Sequence, residues 1–197
     1  MQFIDPHIHI ASRTTDDLQA LARAGCVVVA EPAFWMGYDR SDPRSFYDYF
    51  RQLTEWEPKR AANYGLQHYA WMGINAKEAE NVNFAKEVIA LLPEFLDRPT
   101  TLGIGEVGLH KNTKNEVLTL LELIELAATR HEQLLFHTPH LADKYPGTRM
   151  ILDLLRALIK RLCHVFHGRI NHLLIWHGDL PPKLSIAGTS PGAKRKS

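Results

Sequence analysis

The sequence contains few cysteines, few aromatic residues and no long hydrophobic run. Its 197 residues include two cysteines, Cys26 and Cys163, which are too few for a disulfide framework and favour a reducing compartment. The longest apolar runs fall far short of the roughly 18–20 residues that a membrane span needs. The N-terminus carries acidic and imidazole groups where a signal peptide has a basic flank and a long apolar stretch. We therefore expect a cytoplasmic globular protein with no membrane partner.

The chain also lacks an excess of either charge. Its 23 basic residues balance 22 acidic ones, which leaves a formal net charge of +1, and 45% of the residues are hydrophobic. These proportions exclude a disordered acidic or basic chain, and the overall charge gives no argument for nucleic acid as a partner. A chain of this length suffices for one domain with a substantial core and is short for two.

The last part of the chain differs in composition from the rest. Residues 1–158 hold 16 basic and 21 acidic residues, whereas residues 159–197 hold seven basic residues against the single acid Asp179. One interpretation is an ordinary solvated basic tail. The other is that the chain departs from its preceding fold near Ile159, through truncation or a shifted reading frame. We therefore expect a folded domain over residues 1–158 and an atypical basic segment over residues 159–197, which is truncated, frame-shifted or disordered.

Upstream of that boundary, short apolar runs alternate with helical patterns. Such alternation implies a parallel sheet, and the runs are too apolar for a sheet with one face in water. A doubly wound open sheet and a (β/α)8 barrel both fit this pattern, although about 200 residues is near the lower bound for the barrel. The predicted strands cover residues 2–10, 26–32, 67–75, 100–109 and 134–140. The predicted helices cover residues 14–25, 45–64 with a break at Pro58, 81–96, 115–132 and 147–161.

The first predicted strand carries two histidines, His7 and His9, one residue apart. The alternation of a strand would direct both imidazoles to the same face. Buried imidazoles without partners are costly, and a metal ion would satisfy both. The alternative is a strand face or a polar turn that is open to solvent.

Two further strands end in ionisable residues. Glu106 lies late in the fourth strand between glycines, which often mark the close approach of another backbone or a ligand. A carboxylate on an apolar strand needs a cationic partner, either a metal ion or an ion-paired side chain. His137 ends the fifth strand, and His140 follows it in a loop, where it either lines the mouth of a site or is solvated.

The coincidence of these positions predicts a metal site. In parallel α/β folds, ligands bind at the carboxyl ends of the strands. Imidazole and carboxylate donors suit Zn²⁺, Mn²⁺ or a related ion, which lowers the pKa of a bound water molecule towards neutrality. Glu31 lies near the end of the second strand and Trp35 follows it, and we expect them to contact substrate together with His140, unless their loop simply packs against the rim. The predicted metal ligands are His7, His9, Glu106 and His137.

Three motifs resemble those of the TatD-related metal-dependent hydrolases of the amidohydrolase superfamily. They are FIDPHIH (3–9), GIGEVGL (103–109) and FHTPH (136–140), in the order found in that family and within residues 1–158. The family is a (β/α)8 barrel, so the resemblance favours a parallel TIM-type barrel, here incomplete with five or six of the eight units. It implies one or two divalent ions, Zn²⁺, Mn²⁺ or Mg²⁺, with His7 and His9 at one ion, Glu106 bridging and His137 at the second.

The same resemblance implies a histidine after the sixth strand and an aspartate after the eighth, which serves as ligand and general base. His164 or His167 would supply that histidine, and His177 is a more distant candidate. No eighth strand is predicted, and Asp179 follows too soon to replace the aspartate. The catalytic residue therefore remains unassigned.

The leading interpretation is a TatD-like hydrolase in which a metal-activated water molecule attacks a phosphoester, amide or ester bond. A small molecule or a phosphoester is the expected substrate. Nucleic acid enters through the resemblance alone, because some family members cleave DNA while residues 1–158 are net acidic. The alternative is a non-catalytic barrel remnant that acts as a fragment or interaction module. An assembly of two chains that closes the sheet edges is a third interpretation, so the oligomeric state is left open.

Overall fold

The computed structural model describes residues 1–139 and 141–165, with side chains as far as Leu158. None of the helices in this part of the chain is both long and apolar enough to cross a lipid bilayer. The strands are β1 (Phe3–Asp5), β2 (Cys26–Pro32), β3 (Gln67–Met72), β4 (Thr101–Gly108) and β5 (Leu134–His137). The helices are α1 (Thr15–Ala24), α2 (Arg44–Arg51), α3 (Glu57–Ala62), α4 (Val82–Leu96), α5 (Lys114–Arg130) and α6 (Tyr145–Val165).

The five strands form one parallel sheet in the order β1-β2-β3-β4-β5. The sheet curls into half of a barrel, which confirms the incomplete TIM-type fold predicted from the sequence. Because every strand runs in the same direction, the five carboxyl ends meet at one edge of the sheet. The loops at this edge, which we call the carboxyl edge, carry the candidate functional residues.

Capping residues fix the predicted helix boundaries. The Thr14 side chain accepts a hydrogen bond from Asp17 N, and the Asp17 carboxylate accepts one from Thr14 N in return, a reciprocal arrangement that starts α1. Gly25 ends the same helix with a left-handed φ of 97°, which a residue without a Cβ adopts at little cost. Asn81 and Thr113 begin α4 and α5 through similar side-chain bonds.

The predicted helix over residues 45–64 consists of three segments. A π-helical segment, Gln52–Trp56, separates α2 from α3, and Pro58 lies in the first turn of α3. Proline has no N–H group to donate to the preceding turn, so the break falls where the hydrogen-bond ladder is already interrupted. The break at Pro58 is therefore confirmed, and it extends over the turn that precedes the proline.

Apolar side chains cover both faces of the sheet. On β3, Ala70 and Met72 belong to the main core beneath the helices. Trp71 lies between them and packs against Ala30 and Leu135 on the opposite, inner face. Strands β2 to β5 are apolar runs because most of their side chains are buried on both faces, whereas β1 is largely exposed.

The first strand is shorter than predicted, because β1 ends at Asp5 and does not continue to residue 10. The next residue is a proline, which cannot donate to the ladder, and the Asp5 carboxylate accepts a hydrogen bond from His7 N at 3.1 Å. Ile8 N then donates to Ala30 O at 3.1 Å, which keeps the segment against β2. His7 and His9 therefore lie beyond the strand end. The prediction that they lie within a regular strand is wrong.

Candidate metal centre

Three metal-competent side chains meet at the carboxyl edge. One ligand atom each from His7, His9 and Glu106 lies within 4.8 Å of the other two. The two imidazole rings are nearly perpendicular, with their centroids 5.2 Å apart. Glu106 lies on β4 whereas both histidines follow β1, so the fold brings together groups that are about a hundred positions apart in the sequence.

A bulge in β4 places Glu106 in this group. The pairing of β4 with β5 shifts between Gly105 and Val107, and both Ile104 and Val107 pack in the main core. Regular alternation would have put Glu106 on the same face as Ile104. Because the bulge breaks the alternation, Glu106 leaves the core face, and its Oε1 lies 2.6 Å from His137 Nδ1.

Glycines allow β5 to approach β4 closely beside Glu106. A Cβ atom at Gly105 would lie 2.6 Å from Leu135 Cβ, and one at Gly103 would lie 2.6 Å from Gln133 O. Neither separation is tolerated by ordinary packing, so a side chain at either position would displace the neighbouring strand. The expectation that these glycines mark the approach of another backbone is confirmed, and that backbone belongs to β5.

The surroundings of His9 suit a neutral metal ligand. Its Nδ1 lies 3.2 Å from Pro32 O, and since a carbonyl oxygen only accepts, Nδ1 carries the proton and Nε2 keeps its lone pair. The ring packs against Phe34 at a centroid separation of 4.1 Å. Burial, followed by the neighbouring His7, lowers the pKa of His9, so the neutral form persists below the usual pH range of histidine titration.

The carboxyl group of Glu106 is held in its ionised form. Burial acts to raise its pKa, but the hydrogen bond from His137 and the charges of His137, His7 and His9 together outweigh burial and lower the pKa. The side chain therefore offers a negative charge in a place that is only 8% exposed. A negative charge in so little solvent favours a cation beside it.

His137 contributes a buried nitrogen that lacks a hydrogen-bond partner. Its Nδ1 donates to Glu106, which leaves Nε2 without a partner in the part of the chain that the structure describes. Such a buried nitrogen is costly unless it is satisfied, and a cation beside it would satisfy it. Imidazole nitrogens together with an ionised carboxylate therefore form a donor set that fits a divalent ion.

Glu31 lies inside the core and not at an open surface. Its Oε1 accepts a hydrogen bond from Ala11 N at 2.8 Å, and its Oε2 lies 3.0 Å from His68 Nε2. Both side chains of the Glu31–His68 pair are fully buried. Alternation along β2 explains this position, because Glu31 shares the face of Val29 beneath the helices. Glu31 therefore anchors the segment that follows His9. The sequence had instead predicted that Glu31 would contact substrate.

We expect Glu31→Ala to lower the free energy of unfolding by about 1–3 kcal/mol, because Ala11 N and His68 lose their buried acceptor. Glu31→Gln keeps one carbonyl oxygen in place, and burial raises the pKa of Glu31, so removing the charge costs less than removing the side chain. Urea denaturation of the two variants measures the difference. Equal losses in both variants would contradict an anchoring role for the acceptor oxygen.

Trp35 lies half-buried in the loop between β2 and α2. Its Nε1 donates to Asp39 Oδ1 at 3.0 Å, and the ammonium group of Lys77 lies 4.0 Å from the centre of its ring. The indole therefore packs against another loop at the carboxyl edge, and its contact with substrate remains a prediction.

Sequence reasoning missed two residues at the same edge, Lys77 and His110. Lys77 lies in a single 3-10 turn, Ala76–Glu78, that comes shortly after β3, and His110 follows β4 by two positions. Both residues could have been found from the sequence, because each comes shortly after the end of an apolar strand. The same feature identified His137. Several predicted candidates lie outside the residues or side chains that the structure describes, namely His140, His164, His167, His177 and Asp179.

Comparison with known proteins gives two informative matches, although no model of a known protein family matches the sequence. A protein of Methanocaldococcus jannaschii, described as an uncharacterized metal-dependent hydrolase, is 29% identical over 158 residues, which are 79% of this chain and 59% of that protein. The crystal structure of a TatD-like protein from Archaeoglobus fulgidus matches with a TM-score of 0.70 and 28% identity, over 80% of this chain and 64% of that one.

The parallel half-barrel thus has the architecture of part of a TIM-type barrel. More specifically, the chain is similar to a TatD-like protein and to a metal-dependent hydrolase, and the resemblance predicted from the three motifs is confirmed. It spans 59% and 64% of the lengths of the two relatives it matches.

Proposed function

We propose that this chain is a TatD-like hydrolase that depends on one or two divalent ions, Zn²⁺, Mn²⁺ or Mg²⁺. Its reaction is the attack of water on a phosphoester, amide or ester bond. The observation that carries the proposal is the convergence of His7, His9 and Glu106, whose ligand atoms lie within 4.8 Å of one another. The unpartnered Nε2 of His137, next to Glu106, supports it.

The chain's own residues prepare the site for this chemistry. His9 is fixed by the Pro32 carbonyl, and His137 is fixed by Glu106, so each ring offers its other nitrogen to a ligand. Glu106 supplies the negative charge, and its low exposure strengthens electrostatic interactions in the site. A divalent ion bound there would supply a water molecule of lowered pKa as nucleophile. The family resemblance assigns the general base to an aspartate after an eighth strand, which the sequence does not predict, so we assign no general base to this chain.

The substrate we favour is a small molecule or a phosphoester. Residues 1–158 carry five more acidic than basic residues, which opposes a broad attraction for a polyanion such as nucleic acid. Nucleic acid is supported by the family resemblance alone. Assays should therefore begin with small chromogenic esters.

Elemental analysis of freshly purified, monodisperse protein tests the proposal first. We expect one or two divalent ions per chain, and hydrolysis of a phosphoester, amide or carboxyl ester that is lost with a chelator and restored by the added ion. A chain that is folded, free of divalent ions and unable to bind added Zn²⁺ or Mn²⁺ would refute the proposal.

The alternative is a non-catalytic remnant that acts as an interaction module. One observation favours it: among the described strands, β1 pairs only with β2 and β5 only with β4, so the sheet has two open edges. Limited proteolysis distinguishes the two, because an enzyme should resist cleavage throughout residues 1–158 while an open remnant should be cut within the sheet. Sedimentation of a stable monomer would exclude an assembly of two chains that closes these edges.

A further inference from the structure

The carboxyl edge holds two nitrogen-bearing side chains that the candidate metal centre does not use. Lys77 follows β3, and His110 follows β4, the strand that carries Glu106. Since β3 and β4 are adjacent in the sheet, the two side chains lie on neighbouring loops at the edge that carries the metal ligands. Both are half-buried, so neither is an ordinary solvated surface residue.

The ammonium group of Lys77 is held by an aromatic ring and lacks a carboxylate partner. It lies 4.0 Å from the centre of the Trp35 ring, a cation–π contact that fixes its position without neutralising its charge. Among residues 1–139 and 141–158, no carboxylate lies within ion-pair distance of Lys77. The carboxylate of the next residue, Glu78, forms an ion pair with Arg40, whose Nη1 lies 2.8 Å from Glu78 Oε2. A half-buried positive charge of this kind remains available to an anion.

The turn that carries Lys77 is held at both ends by contacts within the chain. Asn75 Oδ1 accepts a hydrogen bond from Lys77 N at 3.1 Å and caps the turn. At its other end, Glu78 forms a buried ion pair with Arg40, whose guanidinium also stacks over Phe46 at 4.3 Å. A ligand therefore does not have to order this segment on binding, which reduces the entropic cost of recognition.

The loop that carries His110 is held just as firmly. Its backbone N donates to Glu116 Oε2 at 2.9 Å, and the same carboxylate accepts bonds from Lys111 N and Asn112 N. The Nδ1 atom of His110 is buried and has no hydrogen-bond partner within the described residues. A buried acceptor without a partner is tolerated better than a buried donor, which leaves the proton on Nε2.

The charge around His110 favours an anion over a second cation. Burial, followed by the nearby positive charge of Lys77, lowers its pKa, so the ring is a neutral hydrogen-bond donor in an electropositive place. A metal ion at His110 would be repelled by Lys77. A negatively charged ligand would instead be attracted by Lys77 and would accept a hydrogen bond from the imidazole.

We propose that Lys77 and His110 bind an oxyanion of the substrate, a phosphoryl or carboxylate group, beside the candidate metal centre. This inference rests on the proposed function only in placing a substrate at the carboxyl edge. The bond that is cleaved would then lie at the metal ligands while Lys77, positioned by Trp35, holds an anionic group of the same molecule. The enzyme would accordingly prefer esters or amides that carry a second, negatively charged group.

Isothermal titration calorimetry tests the inference by measuring the affinity of the full 197-residue chain for inorganic phosphate and for acetate. The variants are Lys77→Met, Lys77→Arg and His110→Ala, and Lys59→Met, at an exposed position of α3, is the matched control. We expect Lys77→Met to weaken binding about tenfold, because it removes a charge-assisted contact. His110→Ala should weaken binding by a smaller factor, and Lys77→Arg and Lys59→Met should bind as the wild type does. The probe that binds more tightly identifies the oxyanion as phosphoryl or carboxylate.

Measurements on metal-loaded and chelator-treated protein separate this inference from the proposed function. Anion binding that disappears on chelation and is unaffected by Lys77→Met would be binding to the ion, and would overturn the inference while the metal site stands. Lysine-dependent binding in a chain that takes up no metal would support the inference while the proposed function fails. If the wild-type chain binds neither anion in either form, the inference is also overturned. Equal unfolding midpoints of all variants show that lost binding is not lost folding.

Discussion

A variant in which His7 and His9 are both replaced by alanine should purify without the divalent ion that we expect in the wild-type chain. The substitution removes two of the three side chains whose ligand atoms lie within 4.8 Å of one another. Loss of a supporting contact alone costs metal affinity roughly 10–100-fold, so loss of two direct ligands should lower affinity by at least about 100-fold. Competition with a chromogenic chelator measures the affinity.

The matched control is His131→Asn, which removes an exposed histidine at the end of α5. His131 has a left-handed φ of 61°, a conformation that asparagine also tolerates, so this variant should fold and bind metal as the wild type does. Because His7 and His9 lie outside the regular strands, the double variant should retain the far-ultraviolet circular dichroism of the wild type. Full metal affinity in a folded double variant would refute the assignment of these ligands.

The arrangement of strands and helices could be predicted from local sequence signals. Thr14 and Gly25 mark the two ends of α1 because their side chain and backbone satisfy groups that the helix leaves unpaired. Pro58 marks an interruption for the same kind of reason, since it cannot donate a hydrogen bond. These effects act within one or two turns of the chain and need no knowledge of distant contacts.

The orientation of single side chains along a strand was harder to predict. Glu31 faces the core because it keeps the regular alternation of β2, whereas Glu106 faces His137 because a bulge breaks the alternation of β4. In the sequence, both residues are carboxylates late in an apolar strand. The glycines beside Glu106 were the only local sign of the difference, and Gly105 has its effect through β5, which is distant in sequence.

The contact between Lys77 and Trp35 shows a further limit of pattern reasoning. The two residues lie on loops after different strands, and only the closeness of their loops at the carboxyl edge brings the ammonium group over the ring. Loops follow few periodic rules, so their side-chain contacts depend on the assembled fold. The closeness of His7 and His9 could be predicted, because only one residue separates them and they stay together even beyond the strand end.

Glu78→Ala should produce the largest loss of stability of any single substitution considered for this chain. The side chains of Glu78 and Arg40 are only 2% and 4% exposed, and Arg40 Nη1 lies 2.9 and 2.8 Å from the two carboxylate oxygens. Removing the carboxylate leaves a buried guanidinium without its counter-charge, and breaking a buried pair in this way costs about 3–5 kcal/mol. Urea denaturation followed by circular dichroism measures the loss.

Two comparisons isolate the buried charge as the cause. Glu122→Ala removes a carboxylate that pairs with exposed Lys86 at 3.4 Å, and we expect it to cost less than about 1 kcal/mol. The double variant Arg40→Met with Glu78→Leu removes both charges and fills the space with apolar atoms, so it should recover most of the stability that Glu78→Ala loses. A double variant no more stable than Glu78→Ala would show that the geometry of the pair, and not the stranded charge, holds the β2–α2 loop against the turn that carries Lys77.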